Sequence, residues 1–258
     1  MNAFADNLRR SVLQPFHCMG FLFLLPLFLI FTVLAAEAQD FTVAGQVVAR
    51  TESKEKDKQA RSDVVVWLTP LDQRSDLHAV NQQASTPLPR LVQKDKRFTP
   101  HLLVIPAGTA VEFPNRDPFF HNVFSLFEGK RFDLGLYEAG TTRVVHFDRA
   151  GVSYIFCNIH PEMSAVVVAL QTPYYAVSDA SGKIAISHVP AGRYLLQAWS
   201  ERASVDSLKA VSRDVAVSDA EHNLGTIRLS EDSLPAPHKN KYGRDYDAPG
   251  SDYPAEQK

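Results

Sequence analysis

Cysteine is scarce in this chain: 258 residues contain two, Cys18 and Cys157. Charge of one sign is scarce as well. Lys and Arg number 27 against 29 Asp and Glu, a formal net charge of −2. That leaves no basic footprint for nucleic acid. The apolar stretch Phe21–Ala36 falls short of the ~20 residues that cross a bilayer. No serine nucleophile elbow, zinc-hydrolase helix or phosphate loop appears. The expectation is therefore not an enzyme, with no small-molecule substrate to identify.

What is present begins with an address. Arg9 and Arg10 precede the apolar stretch, and Ala36-Glu37-Ala38 places small residues at the −3 and −1 positions of a signal-peptidase site. Residues 1–38 read as a signal peptide for periplasmic or other export, with no membrane span after cleavage; an uncleaved anchor is the alternative. Cleavage leaves Cys157 alone. No internal disulfide is then possible, and an exported lone thiol must be buried, paired with another chain or given a task.

Sixteen prolines, twelve glycines and short Val/Ile/Phe runs predict an all-β protein. Strands are expected at Phe41–Ala49 and Asp63–Leu68, inside a first segment 39–72 that includes the charged loop Glu52–Arg61. Residues 73–90 read as a linker. A denser pattern fills 91–171, with strands at His101–Ile105, Ala110–Phe113, His121–Phe127, Thr141–Asp148, Gly151–Phe156 and Ala165–Leu170. Turn signals every eight to twelve residues are those of an antiparallel sandwich. Residues 172–230 read as a β-meander with strands at Tyr174–Ser178, Lys183–Ser187, Tyr194–Ser200, Ser212–Val217 and Gly225–Leu229. The tail 231–258 has almost no aliphatic residues and is expected to be disordered.

One constellation carries chemistry. Cys157 ends a strand in which Val152, Tyr154 and Phe156 share one face and Ser153, Ile155 and Cys157 the other. His160 and Met163 follow in a short loop that Pro161 stiffens. His121 starts a strand 36 residues upstream, after the loop Pro114-Asn115-Arg116-Asp117-Pro118. Two imidazoles, one thiolate and an axial thioether make an electron-transfer copper site, whereas structural zinc rarely uses methionine. Each residue alone has a plainer reading: a buried cysteine, a packed histidine, a gap-filling methionine. Together, in an exported β-rich chain with no second thiol, His121, Cys157, His160 and Met163 are the expected metal ligands for one copper. Asn122 is expected to send a side-chain or backbone hydrogen bond towards the Cys157 sulfur. His101, His146 and His188 lack a Cys, Asp or Glu at ligand spacing and are read as ordinary residues. Asp179–Gly182 reads as a turn rather than a calcium loop.

The stretch from Phe98 to Leu170 resembles the cupredoxins, the His160-Pro-Glu-Met163 spacing being most like the short ligand loop of amicyanin. The wider pattern Phe113-Pro-Asn-Arg-Asp117, His121-Asn-Val-Phe-Ser125 and Cys157-Asn-Ile-His160 is similar to the plastocyanin-like, "methylamine utilization protein" group of exported bacterial proteins. The resemblance implies a Greek-key sandwich with a type 1 copper at one end. It carries the four ligands onto His121, Cys157, His160 and Met163. Residues 175–182 and 190–194 resemble the carboxypeptidase regulatory-like, or transthyretin-like, sandwich, and Val43–Val48 with Val64–Leu68 look like its opening strands. The cupredoxin unit would then be inserted within it.

The functional expectation is a one-electron copper carrier between periplasmic redox partners. His160 would be the electron exit, and Phe119, Phe120 and Pro161 a docking patch for a transient redox partner. Copper storage or delivery without redox cycling, and a non-metal carbohydrate- or protein-binding module, are the alternatives from other classes.

Overall fold

The computed structural model describes residues 39–50, 61–72, 87–126, 129–230 and 238–246. The leader reading of 1–38 and most of the linker reading of 73–90 lie outside them. Among the described residues the regular structure is almost entirely strand, and no helix is long and apolar enough to cross a membrane.

Two sandwiches share the chain. In the outer one, β1 (Asp40–Arg50) lies between β13 (Lys183–Pro190) and β16 (Asn223–Ser230). Facing it, β2 (Val65–Pro70) joins β12 (Tyr175–Val177), β14 (Gly192–Trp199) and β15 (Arg213–Val217) in the order β12-β2-β14-β15. Val43, Val47, Leu68, Ile186, Leu196 and Ile227 fill the space between these sheets. Residues 172–230 are therefore not a meander. Their strands are divided between two sheets, and each sheet is completed by a strand from before residue 71.

Between β2 and β12 the chain builds the inserted sandwich. One sheet runs β5 (Leu102–Pro106), β11 (Ser164–Leu170), β10 (Gly151–Cys157), β7 (His121–Ser125), β8 (Phe132–Tyr137). Opposite it, β6 (Thr109–Pro114) pairs with β9 (Thr142–Phe147), and the hairpin of β3 (Val92–Lys94) and β4 (Arg97–Thr99) bridges to β6 through Gln93 and Asn115. Leu91, Phe113, Val123, Phe147, Ile155 and Cys157 lie in the core.

Strand β11 explains how the two sandwiches are joined. Its run Ser164-Ala-Val-Val-Val-Ala-Leu170 is buried on both faces, unlike a strand with one face in water. Ala165, Val167 and Ala169 point into the inserted core, while Val166, Val168 and Leu170 pack with Val65, Trp67, Tyr175 and Trp199 of the outer sandwich.

Several elements differ from the sequence expectation. The β3–β4 hairpin turns on Asp95 and Lys96, both with φ +54°. Asn-Gly is the usual signal for such a turn, so this one is silent in sequence. Strand β8 is interrupted by a bulge at Gly135 (φ +66°) and leaves Leu136 60% exposed at the sheet edge, which erases alternation. Helix α1 (Val205–Val211) is one short segment capped by the Ser204 side chain, which accepts from the Ser207 N–H. In β13 the strand continues past Ser187 because a bulge at His188 (φ +56°) turns Val189 back into the core. The tail reading of disorder also needs correction over 238–246, which docks on the inserted sandwich through specific polar contacts.

Candidate metal centre

The site lies where β7 starts and β10 ends. Neighbouring β7 and β10 place Val123 opposite Cys157, which brings the residues flanking these positions side by side. The ligand loop then closes on itself. The Met163 N–H donates to the His160 carbonyl at 3.1 Å, and the Cys157 N–H to the Met163 carbonyl at 3.3 Å.

Three donor atoms converge. Cys157 Sγ lies 3.6 Å from His121 Nδ1 and 3.5 Å from His160 Nδ1, and the two Nδ1 atoms are 3.2 Å apart. Bonds of about 2.0–2.3 Å to a shared metal separate neighbouring ligand atoms by roughly 3.3–3.7 Å, so this triangle fits one ion. Among the described residues, these three form the group of His, Cys, Asp or Glu side chains close enough to hold a metal. Met163 is fully buried in the core cluster that also contains Cys157.

The surroundings fix which atoms face the site. Asp117 Oδ2 accepts from His121 Nε2 at 2.8 Å. The imidazole proton is thereby held on Nε2, leaving the Nδ1 lone pair for a cation. Burial would raise the Asp117 carboxyl, but hydrogen bonds from His121 and from the backbone of Lys96 and Asp95 outweigh it and hold it below the ordinary range. Burial lowers His121, with Asp117 opposing. Burial, reinforced by His121 and Lys96, lowers His160 to about 4. Both rings are accordingly neutral near pH 7, the form that ligates metal.

Burial raises the Cys157 thiol, opposed by backbone N–H groups of Ile159, Asn122 and His160 aimed at the sulfur. Those groups are not enough to ionise the thiol. A bound cation would be, and it would find two neutral imidazoles and three N–H donors already arranged around the thiolate.

Asp117 is the functional residue that sequence reading missed. It was visible only as part of a loop, yet it stands four residues before His121. Asn115 shapes that loop: its Oδ1 accepts the Asp117 N–H at 3.0 Å and its Nδ2 donates to the Phe119 carbonyl at 2.8 Å. Asp117 also accepts the backbone N–H groups of Asp95 (2.6 Å) and Lys96 (3.1 Å), so one carboxylate fastens the β3–β4 turn and the first histidine together. Asn122 stands beside the first histidine. Its side chain is committed to Asp133 Oδ1 at 2.8 Å, and its backbone N–H faces the sulfur.

The Phe119 ring is wedged against both imidazoles, at 5.3 Å from His121 and 5.5 Å from His160. Phe119 is itself half-buried. Phe120 is 50% exposed and Pro161 is exposed. Of the histidines read as ordinary, His101 is committed to Glu201 at 2.7 Å and to the Ser164 carbonyl at 3.1 Å, while His146 and His188 are exposed. The Asp179 carboxylate is spent on its own turn, accepting from Ser181 and Lys183.

No protein-family model matches the chain, and no curated protein does. Among solved structures, it is similar to a novel purple cupredoxin from Nitrosopumilus maritimus, 24% identical over 32% of this chain and 99% of that one, with a TM-score of 0.29. It is also similar to amicyanin from Paracoccus versutus, 22% identical over 34% and 87%, TM-score 0.30. A third is the copper-containing nitrite reductase from Thermus scotoductus SA-01, 22% identical over 48% and 28%, TM-score 0.32. The metal centre itself stands on the geometry of His121, Cys157 and His160.

Proposed function

We propose that the protein is an exported, mononuclear blue-copper protein that passes single electrons between redox partners and catalyses no reaction of its own. The convergence of two imidazole nitrogens and one thiol sulfur within 3.2–3.6 Å carries this reading. Copper, when bound, supplies reversible uptake of one electron. In this reading His121, Cys157, His160 and Met163 would hold one type 1 copper per chain.

The chain's own residues do the rest. Asp117 holds His121 in one tautomer and one orientation, and is itself anchored by the β3–β4 turn. Three backbone N–H groups steady the sulfur. Phe119 packs beside both rings. A scaffold fixed on so many sides changes little when charge arrives, which is what rapid electron exchange requires. His160 is half-buried and flanked by exposed Pro161, with Phe120 exposed close by in sequence to His121. This edge is the proposed contact for a transient redox partner, since such encounters use small interfaces. Residues 1–38 serve as the export signal in the same reading, and the outer sandwich is a regulatory-like module that supports the inserted one.

The test is electron exchange. The copper-loaded full chain should bleach reversibly with a mild reductant, and mixed oxidised and reduced samples should show self-exchange line broadening in NMR spectra. Tight Cu(I) binding with no reversible oxidation would instead make it a copper holder.

A further inference from the structure

Residues 238–246 lie far along the chain from the metal centre and yet fasten onto it. His238 stacks on Phe156, the neighbour of Cys157, with ring centroids 4.1 Å apart and planes 23° apart. The Tyr246 hydroxyl donates to the Cys157 carbonyl at 2.7 Å and lies 3.2 Å from His238 Nδ1. Lys241 donates its backbone N–H to Asn158 Oδ1 at 2.9 Å and its ammonium to Asp133 Oδ2 at 2.8 Å. The other Asp133 oxygen accepts from the Asn122 side chain. The circuit closes where the Asn158 N–H donates to the Asn122 carbonyl at 2.8 Å.

Tyr246 and the Lys241 N–H therefore hold residues at the start of the ligand loop, and the Lys241 ammonium holds the carboxylate that binds the Asn122 side chain. The Cys157 carbonyl and the Asn158 N–H belong to one peptide plane, held by Tyr246 on one side and Asn122 on the other. Asn122 in turn sends its N–H to the Cys157 sulfur. Tilting that plane would swing the start of the ligand loop, and with it the Ile159 and His160 N–H groups. A segment that only covered apolar surface would have no reason to place a hydroxyl, an ammonium and a backbone N–H at these points.

We propose that residues 238–246 are a positioning strap for the metal centre, in which Tyr246 and Lys241 hold the Cys157–Asn158 peptide and the Asn122–Asp133 pair so that three backbone N–H groups stay aimed at the Cys157 sulfur. This rests on the copper reading above. Donors directed at the sulfur favour the more electron-rich, reduced site, so loosening them lowers the reduction potential and speeds loss of Cu(I).

Tyr246→Phe, Lys241→Met and the double variant in the full chain test this. Tyr246→Phe removes one oxygen and leaves the ring in place, so folding is preserved. Copper-loaded Tyr246→Phe should have a lower potential, a shifted thiolate-to-copper band and Cu(I) release to a chelator faster by about five- to tenfold, the worth of one hydrogen bond; the double variant should release faster still. In the metal-free protein, amide exchange should quicken at Asn158 while the β10–β11 ladder is unchanged. Variants that match the parent in potential, band and release rate overturn the strap. If the parent shows no thiolate-to-copper band, the copper reading fails on its own. The metal-free exchange at Asn158 then still decides whether the segment holds that peptide, and an unchanged rate overturns it.

Discussion

At Asp117 one carboxylate serves three donors: His121 Nε2–H and the backbone N–H groups of Asp95 and Lys96. Asp117→Asn keeps the shape but puts an amide donor against one of them. It should weaken copper binding by about 10- to 100-fold, the usual cost of losing such an outer partner, in a competition titration. Cys157→Ser should abolish the intense thiolate-to-copper band, and Met163→Leu should keep the band while shifting the potential. The convergence of His121, Cys157 and His160 was legible in sequence because Cys157 and His160 crowd into one loop and His121 opens a strand. Asp117 was not, since a carboxylate in a polar loop looks like solvent-facing charge until the fold buries it.

Among elements, the β3–β4 hairpin shows local strain offset by tertiary contact. Asp95 and Lys96 both adopt φ +54°, where a residue with a Cβ is strained. Replacing the pair with Asn-Gly should relieve that strain and raise the thermal unfolding midpoint, a gain of up to about 1 kcal/mol. The opposite holds at Gly182, which has φ +82° and packs against β1: a Cβ there would collide with the Val47 carbonyl oxygen. Gly182→Ala should therefore destabilise the outer sandwich by roughly 2–4 kcal/mol in denaturant unfolding. Strands with clean alternation, such as β10 and β14, were readable from sequence. What escaped was β8, whose pattern is broken by a bulge, the end of β13 beyond its bulge, the short helix α1, and the parts whose polar contacts come from remote residues, the β3–β4 turn and the 238–246 segment.

In the whole molecule, the two sandwiches are joined by packing and by charge. Val166, Val168 and Leu170 bury one face of β11 against Val65, Trp67 and Trp199. Leu170→Ala should cost about 2–5 kcal/mol, and calorimetry should show a single transition moving as one; two resolved transitions would contradict joint folding. His101 adds a pH-dependent tie. Its hydrogen bond to Glu201 raises its pKa, against the opposing effect of burial. The protonated form is favoured in the folded protein, so this stabilisation is present in full below the unfolded value of about 6.5 and is lost as pH rises through the higher folded value. The pair is partly exposed, so it contributes no more than about 1 kcal/mol. The thermal-midpoint gap between the parent and His101→Gln should narrow as pH rises above the unfolded value of about 6.5. Sequence pattern hinted at an insertion, but the contact between sandwiches joins positions too far apart for local periodicity to show.

The most direct measurement is the visible and EPR spectrum of the full chain loaded with one equivalent of Cu(II), with Cys157→Ser run beside it. The account predicts an intense thiolate-to-copper band and a narrow copper hyperfine splitting in the parent, both lost in the serine variant. A band that survives Cys157→Ser, or a parent that holds no stoichiometric copper, would contradict it.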